Sequence, residues 1–438
     1  MRSVLIALVS AIVCVSPSDG SELSDSIKLD YDSYLAELWD HFHRNPELSL
    51  VEFETAQRMA SELRRAGFTV TEGVGGTGLV AMLENGDGPL VMMRADMDGL
   101  PVEEKTGLPN ASRKQQESPI TGETVYTMHA CGHDVHITSL VGTARQMAAR
   151  RDEWSGTLML VVQPAEERGL GAKMMLEDDI WERFGAPDYA LAFHVMADNA
   201  VGTINLLPAP YAGVDMVDIV VHGIGGHGAK PHQTKDPIVI ASQIVLALQT
   251  LVSRELPPRE AAVVTVGSFH AGTKHNIISD EARLQLTVRN INPETRTYLL
   301  EGIERIATNI ARAAGVPEDR LPEMTVRGGY TPPLINDMQL GARLRAAWTE
   351  RIGENVVTDI PKQGMGGEDF SRFMILPTKS AVYWDVGGTP TEDFARAAAG
   401  GAPVAGHHSA AFTIAAEPSV RLGVESTVVA LLELMGNQ

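Results

Sequence analysis

TLMLVVQPAEERG, residues 157–169, passes without a break from an apolar run into two adjacent glutamates. A short apolar run closed by Pro164 reads as a buried strand. Buried strands of an open α/β sheet deliver ligand-binding groups at their carboxyl ends. Two further stretches have the same texture: LVMMRADMDGLP (90–101) runs into Asp96 and Asp98, and YALAFH (189–194) is expected to end on His194. With helical patterns between them, these strands predict a mixed α/β sheet flanked by helices, with chemistry collected along one edge. A Glu-Glu pair in isolation reads as two solvated acids. The strand and proline in front of Glu166 and Glu167 reverse that reading.

The segment joining the second and first of these strands carries MHACGHDVH, residues 128–136, the densest set of potential metal ligands in the chain. Gly132 lets the backbone turn tightly enough to aim the Cys131 sulfur and the His133 imidazole at one point. Helical periodicity follows in DVHITSLVGTARQMAARR, so both residues sit at a helix N-terminus, where the dipole favours thiolate over thiol. The polar stretch 103–127 in front reads as a loop.

The chain has 438 residues, 44% of them hydrophobic, enough for two cores. Its 36 basic and 56 acidic residues give a formal charge of −20, which opposes binding to nucleic acid and anionic lipid. An apolar run from Val4 to Val15 behind Arg2 is too short for a bilayer span and reads as a signal peptide over residues 1–20. Export to a periplasmic or secreted location follows, with no membrane contact after its removal and no later membrane segment expected. Cys131 is then the only cysteine left, and metal ligation or burial would protect it.

Residues 24–67 read as two helices broken at Pro46, and GVGGTG (73–78) as a turn, since no Lys-Ser or Lys-Thr follows to make a phosphate loop. From Met216 to about Arg327 the order is strand, helix, strand, strand, helix, strand, a ferredoxin-like βαββαβ unit. The predicted division is therefore a catalytic domain in two parts, 21–212 and 329–438, around an inserted unit at 213–328.

Cys131, His133, Glu167, His194 and a histidine of GHHSAAF would supply sulfur, nitrogen and oxygen ligands for one or two divalent ions. Five ligands exceed one closed tetrahedral site, whereas two ions with a bridging ligand would use all five. Adjacent Glu166 and Glu167 point apart, so one can bind metal while the other faces the water. Asp98 could hold the free nitrogen of a ligating histidine, or cap a helix. His227 lies in the glycine turn GGHGAKPH, where it could reach a substrate, and Asn276 and Arg289 could bind a substrate carboxylate. His41, His43, His222, His270 and His275 lack clustered partners and read as surface or packing residues.

RADMDGLP, MHACGHDVH, QPAEERG, AFHV, GGHGAKPHQTKDPI, GTKHNIISDEARLQLTVR and MGGEDFSRF, in this order, resemble the motifs of the aminoacylase, hippurate hydrolase and indole-acetyl-amino-acid hydrolase family of di-metal amidohydrolases. The likeness runs from Asn45 to Phe412. It implies a zinc-peptidase-like fold with an inserted lid or dimerisation domain. Cys131, as the bridging residue, would ligate two divalent ions (zinc or manganese, with cobalt possible) together with His133, Glu167, His194 and His408. Glu166 would be the general base. His227 would reach the partner subunit's site in a homodimer or higher oligomer, with Asn276 and Arg289 near the substrate carboxylate. Ala410 stands where the family usually has proline, which bears on the choice of His408 over His407. The implied reaction is hydrolysis of N-acyl or N-aroyl amino acids. Alternatives are a dipeptidase or carboxypeptidase using the same centre, a non-catalytic exported metal- or ligand-binding protein, and a hydrolase with Cys131 as nucleophile.

Overall fold

The computed structural model describes residues 19–375 and 377–437. The predicted signal peptide, apart from Asp19 and Gly20, lies outside the described residues. An eight-stranded mixed sheet forms the body of the protein. Its order is Thr69–Glu72, Leu79–Asn85, Gly156–Gln163, Leu90–Asp96, Tyr189–Ala200, Ser380–Thr389, Ile204–Asn205 and Val357–Thr358. The third to sixth of these strands are mutually parallel, so their carboxyl ends open on one edge. They are nearly all buried, as expected of parallel strands covered on both faces.

On one face His133–Ala149 and Ala416–Met435 pack together, joined by the N-terminal helices and Met338–Arg351, around Leu140, Val141, Trp348, Val424 and Val428. On the other, short helices at Gly171–Glu177 and Ile180–Phe184 cover Met92, Met159 and Val161. The strand expected to end on His194 continues to Ala200, since its pairing with Ser380–Thr389 carries on past that residue. The stretch 103–127 contains a small hairpin, Gln115–Glu117 against Thr124–Tyr126.

Residues 213–331 build a second, antiparallel sheet in the order Val263–Ala271, Glu281–Asn290, Gly213–His222, Glu323–Thr331. Burial alternates along Gly213–His222 and Glu281–Asn290, so one face is apolar. Helices Pro237–Thr250 and Pro293–Ala313 cover that face, with Ile219, Ile244, Leu284, Leu299 and Ile303 in a core of its own. Both helices start on side-chain caps, Asp236 accepting from the Ile238 amide and Asn292 from the Thr295 amide. The segment Pro237–Glu255 is long and apolar enough to cross a membrane, which amends the expectation that no later segment has that character. Its Ile240, Ile244 and Leu248 are buried within the second core. The last strand of the second sheet runs on to Thr331.

Candidate metal centre

The parallel strands, the segment Met128–His136 and the loop around His408 converge at one end of the central sheet. Donor atoms of Cys131, His133 and His194 lie within 4.8 Å of one another, and so do those of Cys131, Glu167 and His408. Each histidine is fixed by its other nitrogen. His133 Nδ1 donates to the Asp98 carbonyl at 2.8 Å, and His194 Nδ1 donates to the Val195 carbonyl at 2.7 Å. In the neutral ring each therefore turns the lone pair of Nε2 inward, as a ligating imidazole requires. His194 Nε2 lies 3.4 Å from Cys131 Sγ. His408, left-handed at φ 64°, brings Nε2 to 3.3 Å from Glu167 Oε2. His407 is placed differently: its Nε2 accepts the Ala197 amide at 3.1 Å, which leaves the proton of the neutral ring on Nδ1, 3.7 Å from Cys131 Sγ.

Glu166 and Glu167 follow Ala165, whose backbone is left-handed at φ 49° and ψ 37°. Asp98 holds them through the main chain, one carboxylate oxygen accepting the Glu166 amide and the other the Glu167 amide, both at 3.1 Å. The sequence reading has the Asp98 side chain hold a ligating histidine or cap a helix, whereas the 2.8 Å bond to His133 comes from its main chain. Its carbonyl orients His133 and its carboxylate caps the glutamate turn.

The electrostatics fit a divalent cation. The buried Arg94 bonds Asp96, Glu368 and Asp369, and Glu166 brings a carboxylate oxygen within 4.8 Å of those of Glu368 and Asp369. Burial, then Glu368 and Glu167, push the Glu166 carboxyl well above the ordinary range. Burial lifts Glu167 to about 7, with His133 opposing and Asp98 adding to the rise. Cys131 reverses the expectation from its helix terminus: burial, then Glu167 and Glu166, hold its thiol well above the usual value. A thiolate here needs a cation beside it. His133 Nε2 and Glu167 Oε1 are buried with no hydrogen-bond partner among the described residues, an arrangement that is costly unless a ligand occupies the space.

The cleft above these groups encloses about 540 Å³ and is walled by Met196, Tyr211, Val214 and Met216, with Arg289 and Lys362 at its rim. Arg289 is half-buried and has no carboxylate partner among the described residues; its Nε donates to Thr287 Oγ1 at 3.0 Å. Lys362 is engaged by Asp385 at 3.0 Å and by the Tyr211 ring.

A match to the model of peptidase family M20/M25/M40 extends over residues 92–399. The chain belongs to this family. The hippurate hydrolase of Campylobacter jejuni is 40% identical over 349 residues, which are 79% of this chain and 86% of that protein. The N-acetyl-L-cysteine deacetylase of Bacillus subtilis is 35% identical over 76% of each chain. A solved dinuclear metal binding peptidase of the M20 family from Bacillus subtilis superposes with a TM-score of 0.74 at 29% identity, covering 93% of this chain and 98% of that one. The M20 chain described here is a metal-dependent amidohydrolase on a mixed α/β fold.

Of the residues singled out in the sequence, Cys131, His133, Glu166, Glu167, His194, His408 and Arg289 meet in the cleft or directly beneath it. His227 and Asn276 do not. Both are exposed: His227 sits in a short pairing, Gly226–His227 against Ile277–Ile278, Asn276 immediately precedes that pairing, and neither lines the cleft of its own chain. His43 is a correction. It is buried and bonded to Asp134 at 2.8 Å with Glu104 at 3.5 Å, bracing the first turn of the helix that presents His133. Burial opposes its charge, but Asp134 and Glu104 raise its pKa to about 10. The sequence reading missed Arg94, Gln163, Glu368 and Tyr383, the buried network under the centre. The available signals were a charged Arg94 inside an apolar strand and the presence of Glu368 in MGGEDFSRF.

Proposed function

We propose that the protein is an exported amidohydrolase that cleaves N-acyl or N-aroyl amino acids to a carboxylic acid and a free amino acid, and that it works as a homodimer. The observation that carries this reading is one cleft holding a cysteine-histidine-glutamate ligand set, a second carboxylate beside it, and an arginine lacking a carboxylate partner among the described residues at its rim. The names of the similar hippurate hydrolase and N-acetyl-L-cysteine deacetylase point to the same substrate class.

Cys131, His133, Glu167, His194 and His408 would hold two divalent ions, with zinc, manganese and cobalt all suited to such mixed donors. Divalent cations supply, when bound, polarisation of the scissile carbonyl and activation of water at neutral pH. Glu166 takes the proton of the attacking water and returns it to the amine nitrogen as the C–N bond breaks. Arg289 receives the carboxylate of the amino acid part bidentately. The apolar wall of Met196, Tyr211, Val214 and Met216 suits an acyl or aroyl group. The partner's His227 would donate to the developing oxyanion, with Asn276 nearby. The test is to strip the full-length protein with chelator, reload it with single metals, and assay N-acyl and N-aroyl amino acids beside unblocked dipeptides. Turnover confined to dipeptides would replace this reading with a dipeptidase, and activity that survives chelation would point to Cys131 as nucleophile.

A further inference from the structure

The glutamate turn has an unusual underside. Three consecutive amides, those of Ala165, Glu166 and Glu167, end on buried carboxylates, the last two on Asp98 and the first on Glu52 at 2.9 Å. Successive amides around a residue of left-handed backbone form an anion-binding nest. Glu52 comes from the start of helix Phe53–Arg65 and is fully buried. The same oxygen that accepts from Ala165 also accepts the Leu50 amide at 3.0 Å. Leu50 is itself left-handed at φ 76°, so one carboxylate serves two of the four non-glycine positive-φ residues among those described. The other oxygen accepts the Thr77 hydroxyl at 2.5 Å.

Thr77 belongs to the glycine turn 73–78, and that turn is built against the same point. It is closed by the Val74 amide on the Gly78 carbonyl at 2.8 Å. A Cβ on Gly78 would come within 2.9 Å of Pro164, the residue before Ala165, and one on Gly75 within 2.6 Å of the Met175 backbone. Gly78 is therefore needed for close approach of this turn to the Pro164 corner, and Gly75 for its approach to helix Gly171–Glu177.

We infer that Glu52, oriented by Thr77 of the glycine turn, is a positioning residue that locks the left-handed Ala165 corner and so fixes where Glu166 and Glu167 place their carboxylates, both within 4.8 Å of His133. Left-handed backbone at a non-glycine residue persists only where its surroundings over-determine it. Glu52 supplies that constraint from a distant part of the chain. The inference rests on the reading of Glu166 as general base for its effect on turnover, but not for its effect on the corner itself.

Two measurements on the full-length protein test it in E52A, E52Q and T77V: amide exchange over residues 164–171 in metal-free protein, and kcat and KM after metal loading. In E52A, exchange in that segment should be about ten-fold faster, as for loss of a buried hydrogen bond. Its kcat should fall on the order of a hundred-fold, the effect of a misplacement of about 1 Å. KM should stay within about two-fold, because substrate binding is not touched. E52Q should recover most of both, since its amide oxygen can still accept from Leu50 and Ala165 while its nitrogen donates to Thr77. Faster exchange spread evenly over the chain, kcat within about three-fold of the parent, or an E52Q no better than E52A would overturn the inference. If E52A does not fold, T77V decides. The same local change with a kcat loss of about three-fold supports the inference, and no change in either overturns it. An active E166Q would remove the base assignment alone, because the exchange measurement needs no substrate.

Discussion

The Cys131 cleft and the His227–Asn276 pairing both carry residues with chemical potential, but they are built in opposite ways. The cleft is over-determined: His133, His194, Glu166 and Glu167 are each held by a backbone or carboxylate partner, and what is left over is inward-facing lone pairs without partners. The pairing is two residues deep, its His227 and the adjoining Asn276 are exposed, and both lie outside the cleft of their own chain. A group held rigidly around unmet valences can work within one chain once a cation arrives. On the two-subunit proposal, a group presented on an open turn would act on a surface from elsewhere.

The largest expected effect separates chemistry from ligation inside the cleft. Glu166→Gln should lower kcat by about 10³-fold or more, within the range for loss of a general acid-base group. Its metal content, measured by mass spectrometry of the dialysed protein, should match the parent. Activity near the parent level would remove Glu166 from this role. The next effect belongs to the exposed pairing. His227→Ala should cost about 10²-fold in kcat, as for one oxyanion donor, with an unchanged melting temperature because its side chain supports no core. Mixing it with Glu166→Gln should restore part of the activity through sites that pair an intact Glu166 with an intact His227. Absence of any rescue would break the two-subunit reading.

The contrast between these regions also shows where the sequence was legible. Cys131, His133, Glu166, Glu167 and His194 could be found because each lies where an apolar strand or a helix start meets a cluster of reactive side chains, so pattern and chemistry coincide. The mixed sheet followed from the same strands. The role of Glu368 escaped because it depends on meeting Arg94 across more than 270 residues of chain, which no local period records, and Tyr383 joins the network only through its bond to Glu368. Glu52 escaped because a glutamate at the start of an amphipathic helix is ordinary, and only the fold shows that it faces Ala165. His43 was passed over for the same reason as Glu368: its partners, Asp134 and Glu104, are remote in sequence, so it stood alone. The Cys131 thiol was misjudged because a helix-terminus dipole, effective over one turn, is outweighed by burial and two glutamates that only the folded state brings near.

A smaller effect tests the rim of the cleft. Arg289→Met should raise KM for an N-acyl amino acid by about ten- to a hundred-fold, the range for one charge-assisted contact of 1.5–3 kcal/mol. It should leave the KM of the corresponding amide, which lacks the carboxylate, within about two-fold. An equal rise for both substrates would mean that Arg289 shapes the wall and does not read the charge.

The smallest effect falls on Asn276. Its backbone carbonyl accepts the Gly228 amide at 2.9 Å, and this bond survives substitution. Asn276→Ala should therefore change stability by no more than about 0.5 kcal/mol, as at an exposed site. If the side chain reaches substrate in the partner's cleft, kcat/KM should still drop by about two- to ten-fold, the value of a neutral hydrogen bond. That drop should fade as the protein is diluted into monomers, because the parent then loses the contact as well. A drop that persists at every concentration would place Asn276 in the service of its own chain, and the division between a self-sufficient cleft and a borrowed pairing would no longer hold.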